Sequence, residues 1–358
     1  MYSLKLTRNF WIKIGAIACL IAYLFGEKTV SALPLSPGDR IEVSIPEDSY
    51  FSRAYEVNQN GELEVPYLGN ISVVGLEPKE AQKILSQALI DRGYFLPHRL
   101  LLSVQVLKWA AIQVTVSGAV FVPGRVLINE PSDPEKTAIS LEARQITGEN
   151  PNNRYLTNAI RAAGGILPTA DLKKITLIRG DKKIIVDLWG VFTGEAVTDL
   201  ALVAGDRIIV PQSDRVQPEL VRPSQITPPG IKVFASNLTV PADNNSEAGI
   251  NNREEGISFP YGARLSQAAI ALNCAGGTQL SNVSRRITLM RVDRISGKTT
   301  IVDRRIELLM RNSENEAENP FLMPRDGVAC YDSTVTNIRD IFKTLGEILS
   351  PILLFKQF

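Results

Sequence analysis

The sequence is short of the residues from which metal and nucleophile chemistry is built. Its 358 residues hold one histidine and three cysteines. One imidazole and a few scattered thiols cannot assemble an ordinary zinc site. His98 stands in a Pro-His-Arg turn, where a surface role fits better than that of a base. An excess of either charge is also missing: 39 Lys and Arg against 38 Asp and Glu leave +1, without a polybasic run. Nucleic acid is therefore not an expected partner, because phosphate binding needs a concentrated basic surface. No Gly-x-Ser-x-Gly, phosphate-binding loop or dinucleotide fingerprint occurs. Paired carboxylates could hydrolyse glycosides, but spacing alone reveals no such pair, and Asp39, Asp206 and Asp326 fit better as turn acids. The expectation is a protein that is not an enzyme and carries no cofactor or metal.

Long hydrophobic runs are lacking too. Residues 14–25 (IGAIACLIAYLF) are too short to span a bilayer comfortably. Lying after Lys5, Arg8 and Lys13 and before Val30-Ser31-Ala32, they read as the core of a secretory signal over 1–32, cleaved before Leu33. Cys19 is a weak lipid acceptor, lacking the leucine usually found three residues earlier. Export leaves Cys274 and Cys330 in an oxidising compartment, either as a disulfide or as two separate buried thiols.

What is present is a chain long enough for two or three domains, with 44% apolar residues to fill their cores. Residues 35–45 (LSPGDRIEVSI) open on a Pro-Gly-Asp turn and continue as a strand with Ile41, Val43 and Ile45 inward. Asn60-Gly61 predicts a hairpin joining Tyr55 and Val57 to Leu63 and Val65. Pro66-Tyr67-Leu68-Gly69 breaks that run, and Ile71, Val73 and Val74 resume it. A helix then starts at Glu77-Pro78-Lys79-Glu80, with Ala81, Ile84, Leu85, Ala88 and Leu89 as its apolar stripe, and residues 101–107 alternate as a strand.

Residues 112–211 and 231–331 are two copies of one unit. Copy one has an opening hairpin around Gly118 and Gly124, a helix ending at Gly164-Gly165, two strands, and a closing segment with Gly205-Asp206. Copy two repeats the helix, the Gly-Gly and the Leu-x-Arg strand. Its opening hairpin is eroded, and Pro-Arg-Asp-Gly stands where copy one has Ala-Gly-Asp-Arg. Arg179 with Asp187, and Arg291 with Asp303, are expected to meet across a hairpin in each copy. Residues 212–230 read as a Pro-rich linker, and 129–153 and 241–255 as long solvated loops.

Residues 338–355 (IRDIFKTLGEILSPILLF) are the most polarised stretch. Wound as a helix, they gather Ile338, Ile341, Phe342, Leu345, Ile348, Leu349, Ile352, Leu353 and Phe355 on one side, and Arg339, Asp340, Lys343 and Glu347 on the other. At ~1.5 Å per residue the helix is roughly 27 Å long, close to a hydrocarbon core of about 30 Å. One copy would strand its charged face in lipid, whereas a closed ring could turn that face to a water-filled lumen. A terminal helix packed on its own domain satisfies the same pattern. Pro351 would kink its last turn.

The segment 33–108 resembles the polysaccharide-export domain of the outer-membrane polysaccharide export family (Wza-type). The resemblance rests on Pro37, Gly38, Asp39, Val57, Gly61, Pro66, Gly69, Val74, Gly75 and Leu76 at the family's spacing. The two following copies resemble its soluble-ligand-binding β-grasp (SLBB) domains, the pattern being complete in copy one only. The resemblance implies an α+β chain: export domain, two β-grasp repeats, and a C-terminal amphipathic helix over 335–358. It further implies a homo-oligomeric ring of about eight copies, sited in the outer membrane with most of the chain in the periplasm. Such a ring passes capsular or exopolysaccharide outward. The implied partner is an inner-membrane polysaccharide co-polymerase, often a tyrosine autokinase. A periplasmic carbohydrate-binding module without a channel, or a polysaccharide-processing enzyme, are the rival expectations.

Overall fold

The computed structural model describes residues 33–46, 48–130, 153–239, 256–274, 285–293 and 297–332. The expected signal segment 1–32 with Cys19, the helix 338–355 and most of both long loops lie outside the described residues. The chain divides into two compact units, the first ending at Lys108 and the second beginning at Trp109.

In the first unit, strand β1 (Arg40–Ile45) lies between β2 (Asp48–Glu56) and β5 (Ser103–Lys108), antiparallel to both. Its alternation sends Ile41, Val43 and Ile45 into the core. Helix α1 (Pro78–Asp91) starts where its proline requires no amide donor, and the Glu77 amide donates to Glu80 Oε2 at 2.9 Å, half of a capping box. It buries Ala81, Leu85 and Leu89, while Ile84, expected inward, is exposed.

The Asn60-Gly61 turn forms, but it does not join two paired strands. Strand β2 pairs with β1, and β3 (Glu62–Val65) pairs with β4 (Gly69–Ser72) as a separate ribbon. The side chain of Asn58 organises the corner, accepting the amides of Asn60 and Glu62 at 2.9 and 3.0 Å. This Asx geometry swings the chain from one sheet to the next and removes the register that a tight hairpin would impose.

The second unit holds two five-stranded sheets of identical plan. One runs β7 (Gly124–Ile128), β6 (Ile112–Gly118), β10 (Arg207–Val210), β8 (Ile175–Arg179), β9 (Lys182–Val186). The other runs β12 (Ile257–Pro260), β11 (Gly230–Asn237), β15 (Gly327–Asp332), β13 (Arg285–Val292), β14 (Thr299–Arg305). In each the central strand is parallel to the first strand of its copy and antiparallel to the third. Helices α2 (Leu156–Ala162) and α4 (Leu265–Ala271) pack into the respective cores; a one-turn α3 (Gly190–Thr193) and a short α5 (Ile306–Arg311) complete the α-helices of this unit among the described residues. The opening hairpin of copy two is kept: β12, its second arm, lies beyond residues 241–255, whereas in copy one five residues separate the arms.

One turn recurs three times. Asp39, Asp206 and Asp326 each accept the amide of the residue three before (Ser36, Val203, Met323) at 2.7–3.0 Å. Each also returns its own amide to that residue's carbonyl. The residue before each aspartate has positive φ: Gly38 at 87°, Gly205 at 85°, and Arg325, at 67°, where copy two has given up glycine. The arginine pairings differ from those expected. Arg179 grips Asp206 and the Ala201 carbonyl, and Arg291 grips Asp326 and the Phe321 carbonyl. Register is the reason: Arg179 stands opposite Lys182 at the closed end of its hairpin, while Asp187 lies beyond Val186 at the open end and accepts the Trp189 amide. Asp303, opposite Thr288, is taken by Arg286.

Residues 212–230 are a packed strap, not a tether. Leu220 and Ile226 are fully buried in the first core, Val221 joins the second, and the Ile166 amide donates to the Ile226 carbonyl at 3.0 Å. Gly165 is required here, since a Cβ would stand 2.9 Å from Pro228 Cδ. Cys274 and Cys330 form a disulfide between the residues after α4 and the central strand, with Cα atoms 6.0 Å apart and both side chains fully buried.

Two outcomes follow for stability. Asp206→Ala strands a half-buried arginine and an amide, and should cost about 3 kcal/mol in chemical denaturation. Reducing the Cys274–Cys330 bond, which closes a separation of 56 residues, should cost roughly 4 kcal/mol on the loop-entropy estimate; an unchanged melting curve in reductant would contradict this.

Candidate functional site

The turn residues singled out in the sequence shape backbone. Gly61, Gly118, Gly124, Gly164, Gly165 and Gly205 all have positive φ. Pro37, Gly38, Asp39 and Asp206 build the recurrent turn. At Gly118 a Cβ would fall 2.0 Å from the Val210 carbonyl, so glycine lets β6 close on β10. His98 is exposed in its turn, and among the described residues there is no acidic, Cys or His cluster fit for a metal. The helix residues assigned to lipid and lumen lie outside the described residues; among the described residues no helix is long and apolar enough to cross a membrane.

The first unit instead carries an aromatic ledge that the linear reading missed. Tyr50 and Tyr67 stack with ring centres 5.3 Å apart and planes 30° from parallel. Phe51, buried beneath, meets Tyr50 edge-on at 5.3 Å, and also touches Tyr94 and Phe95. Tyr50, Tyr67 and Tyr94 are 44%, 67% and 45% exposed, so the rings face water. The backbone is built to hold them. Asp48 accepts the Phe51 amide at 2.9 Å, and Arg53 donates to the Tyr50 carbonyl at 2.7 Å while lying 5.9 Å from its ring. The side-chain hydrogen bond to Tyr67 raises the pKa of Tyr50, with desolvation adding to it and Arg53 opposing. The Tyr50 hydroxyl therefore keeps its proton at ordinary pH.

Tyr67 sits at a conformational cost. It occupies the third position of the turn closed by the Leu68 amide on the Val65 carbonyl, after Pro66, with φ 61°. A proline followed by a positive-φ residue is the pattern of a type II turn, which favours glycine. A bulky side chain there costs of order 1 kcal/mol, and what the ring gains within the chain is its stack and hydrogen bond with the half-exposed Tyr50. Beside it, Glu64 to Asn70 line an open cleft of about 590 Å³. Exposed aromatic faces carry negative quadrupole density that attracts the polarised C–H faces of sugar rings, and flanking carboxylate and amide groups can take hydroxyls.

Residues 27–107 match the family model described as polysaccharide biosynthesis/export protein. The matched span is similar to that family's domain, and every ledge residue lies within it. The match points to a role in polysaccharide export or biosynthesis. No curated protein matches the chain.

A second cleft, about 540 Å³, opens in the second unit between Thr157, Asp199, Glu195 and Arg222. Asp199 accepts the Thr157 amide and hydroxyl at 3.2 and 2.6 Å, capping α2 from a distance, and burial raises its pKa. Its carboxylate is occupied by structural work.

The ledge could have been found from its local signals: Tyr50-Phe51 and Tyr94-Phe95 are adjacent aromatic pairs, the second just after the end of α1, and Tyr67 follows the turn proline. Tyr67→Gly separates the two demands on that residue. It should leave melting unchanged or raise stability by up to ~1 kcal/mol, while weakening retention on acidic or neutral glycan gels about two- to tenfold. A loss of stability would show the ring to be structural.

Proposed function

We propose that the chain is a subunit of an outer-membrane channel that exports capsular or exopolysaccharide from the periplasm to the cell surface. The observation that carries this is the family match over 27–107. The tyrosine ledge inside that span supports it by offering a hydrated sugar chain weak, repeatable contacts, which suit passage better than tight capture. The two sheets of identical plan are read as SLBB-type β-grasp repeats extending the wall of a homo-oligomeric ring. The helices 338–355 are read as closing an α-barrel, with Ile341, Leu345 and Ile352 toward lipid and Arg339, Lys343 and Glu347 toward the lumen. An inner-membrane co-polymerase with tyrosine autokinase activity is the proposed partner. The conduit performs no covalent chemistry.

Particles extracted from membranes in detergent should be closed rings of about eight copies. Removing residues 335–358 should leave a folded chain that is lost from the outer membrane and no longer supports surface polymer. Monomeric extracts with unchanged surface polymer would overturn the channel. If such monomers still retard on glycan gels, the chain is a carbohydrate-binding module. Purified protein should leave polymer length unchanged.

A further inference from the structure

The two sheets of the second unit share a plan but differ on their outer faces. Their inner residues match: Ile175, Leu177, Ile208 and Val210 in the first, Ile287, Leu289, Val328 and Cys330 in the second, all in helix-covered cores. On the outer faces, register places Phe234 where copy one has Thr115, Gly327 where it has Arg207, Met290 where it has Ile178 and Ala329 where it has Ile209. The second outer face is consequently apolar. Met290, Ala329 and Tyr331 form a cluster of their own, at 7%, 1% and 3% exposure, with Phe234, Leu238 and Val292 packed against it. All six come from the sheet or the residue directly after β11, and among the described residues no helix joins them.

The charged cluster of this face is paired within itself. Asp303 receives Arg286, the Thr288 hydroxyl at 3.1 Å and the Tyr331 hydroxyl at 3.0 Å. A face whose charge and hydroxyls are paired among themselves can be covered by apolar surface without stranding a donor or acceptor.

We propose that residues 338–355 of the same chain dock on this outer face in the unassembled protomer. The central strand β15 ends at Asp332, and the helix pattern begins at Ile338 after a link of five residues, 333–337. Such a link reaches up to about 17 Å and has the ordinary length of a strand-to-helix connection. Asn337 offers an N-cap directly before the pattern. The helix would measure roughly 27 Å, against about 26 Å for the eight residues of β13. Its nine-residue apolar side meets an apolar face, and its charged side stays in water. The first sheet, with Thr115 and Arg207 outward, offers no equivalent seat. Docking would keep the amphipathic helix covered until copies assemble. That last step rests on the channel reading, whereas the docking itself does not.

Hydrogen exchange on the full-length protomer, isolated without detergent or lipid, tests this. Amides of 338–355 should exchange at least tenfold more slowly than unstructured chain, independently of protein concentration. Ala329→Glu on the seat and Leu345→Glu on the helix should each abolish the protection, and Ile209→Glu on the first sheet should not. The helix variant leaves the folded unit untouched, so it decides the matter if Ala329→Glu misfolds. Unprotected amides in the parent protein, or protection that disappears on dilution and so comes from a second copy, would overturn the proposal. Either result leaves the channel standing, since a free tail can still enter a membrane. Intact protection with unaffected export after deletion of the helix would instead sink the channel.

Discussion

A carboxylate folded back onto its own turn sets the geometry of both units. At Asp39, Asp206 and Asp326 the side chain replaces water for an amide three residues earlier, and the preceding residue adopts a left-handed conformation that reverses the chain into a strand. In the second unit the carboxylates are buried to 1% exposure and would be costly without a counter-charge; Arg179 and Arg291 supply it from the neighbouring strand. Burial pushes the Asp326 pKa up, and the Arg291 hydrogen bonds pull against that. Each arginine spends a further donor on a carbonyl just ahead of the turn. The clamp therefore locks central strand, third strand and closing segment together, twice in one chain.

The duplicated unit shows which parts of a repeat can drift. Copy two has replaced the turn glycine by Arg325, at φ 67°, and opened its first hairpin over a long excursion, yet strand order and clamp persist. The inner face is held by packing under a helix. Among the described residues no helix packs on the outer face, which is apolar in one copy only. A disulfide adds a restraint to copy two alone, where the opening hairpin is loosest. The strap 212–230 then couples the copies, giving Leu220 and Ile226 to one core and Val221 to the other.

In the first unit, the ledge follows the opposite economy. Phe51 is buried and anchors the aromatic group, whereas Tyr50, Tyr67 and Tyr94 leave their faces in water. Tyr67 accepts a backbone conformation that glycine would occupy freely. Rigid rings with few rotatable bonds make contacts at low entropic cost.

The sequence by itself determined the elements whose information is local. Pro78 with Glu80 marked the start of a helix, the Ile41–Val43–Ile45 alternation marked a strand, and the shared fourteen-residue step from Gly-Gly to Leu-x-Arg marked the two copies. The turn chemistry at Asp39, Asp206 and Asp326 was equally legible, because it involves residues three apart. What only the tertiary structure decided concerns partners far along the chain. Asn60-Gly61 turned the chain without pairing β2 to β3, since β1 and β4 took them. Arg179 and Arg291 chose acids brought near by the central strand over acids near in sequence. Tyr50, Tyr67 and Tyr94 became one surface because three segments converge there. Pairing between strands is set by register across a sheet, and a linear pattern records the period of a strand but not the neighbour it will lie beside.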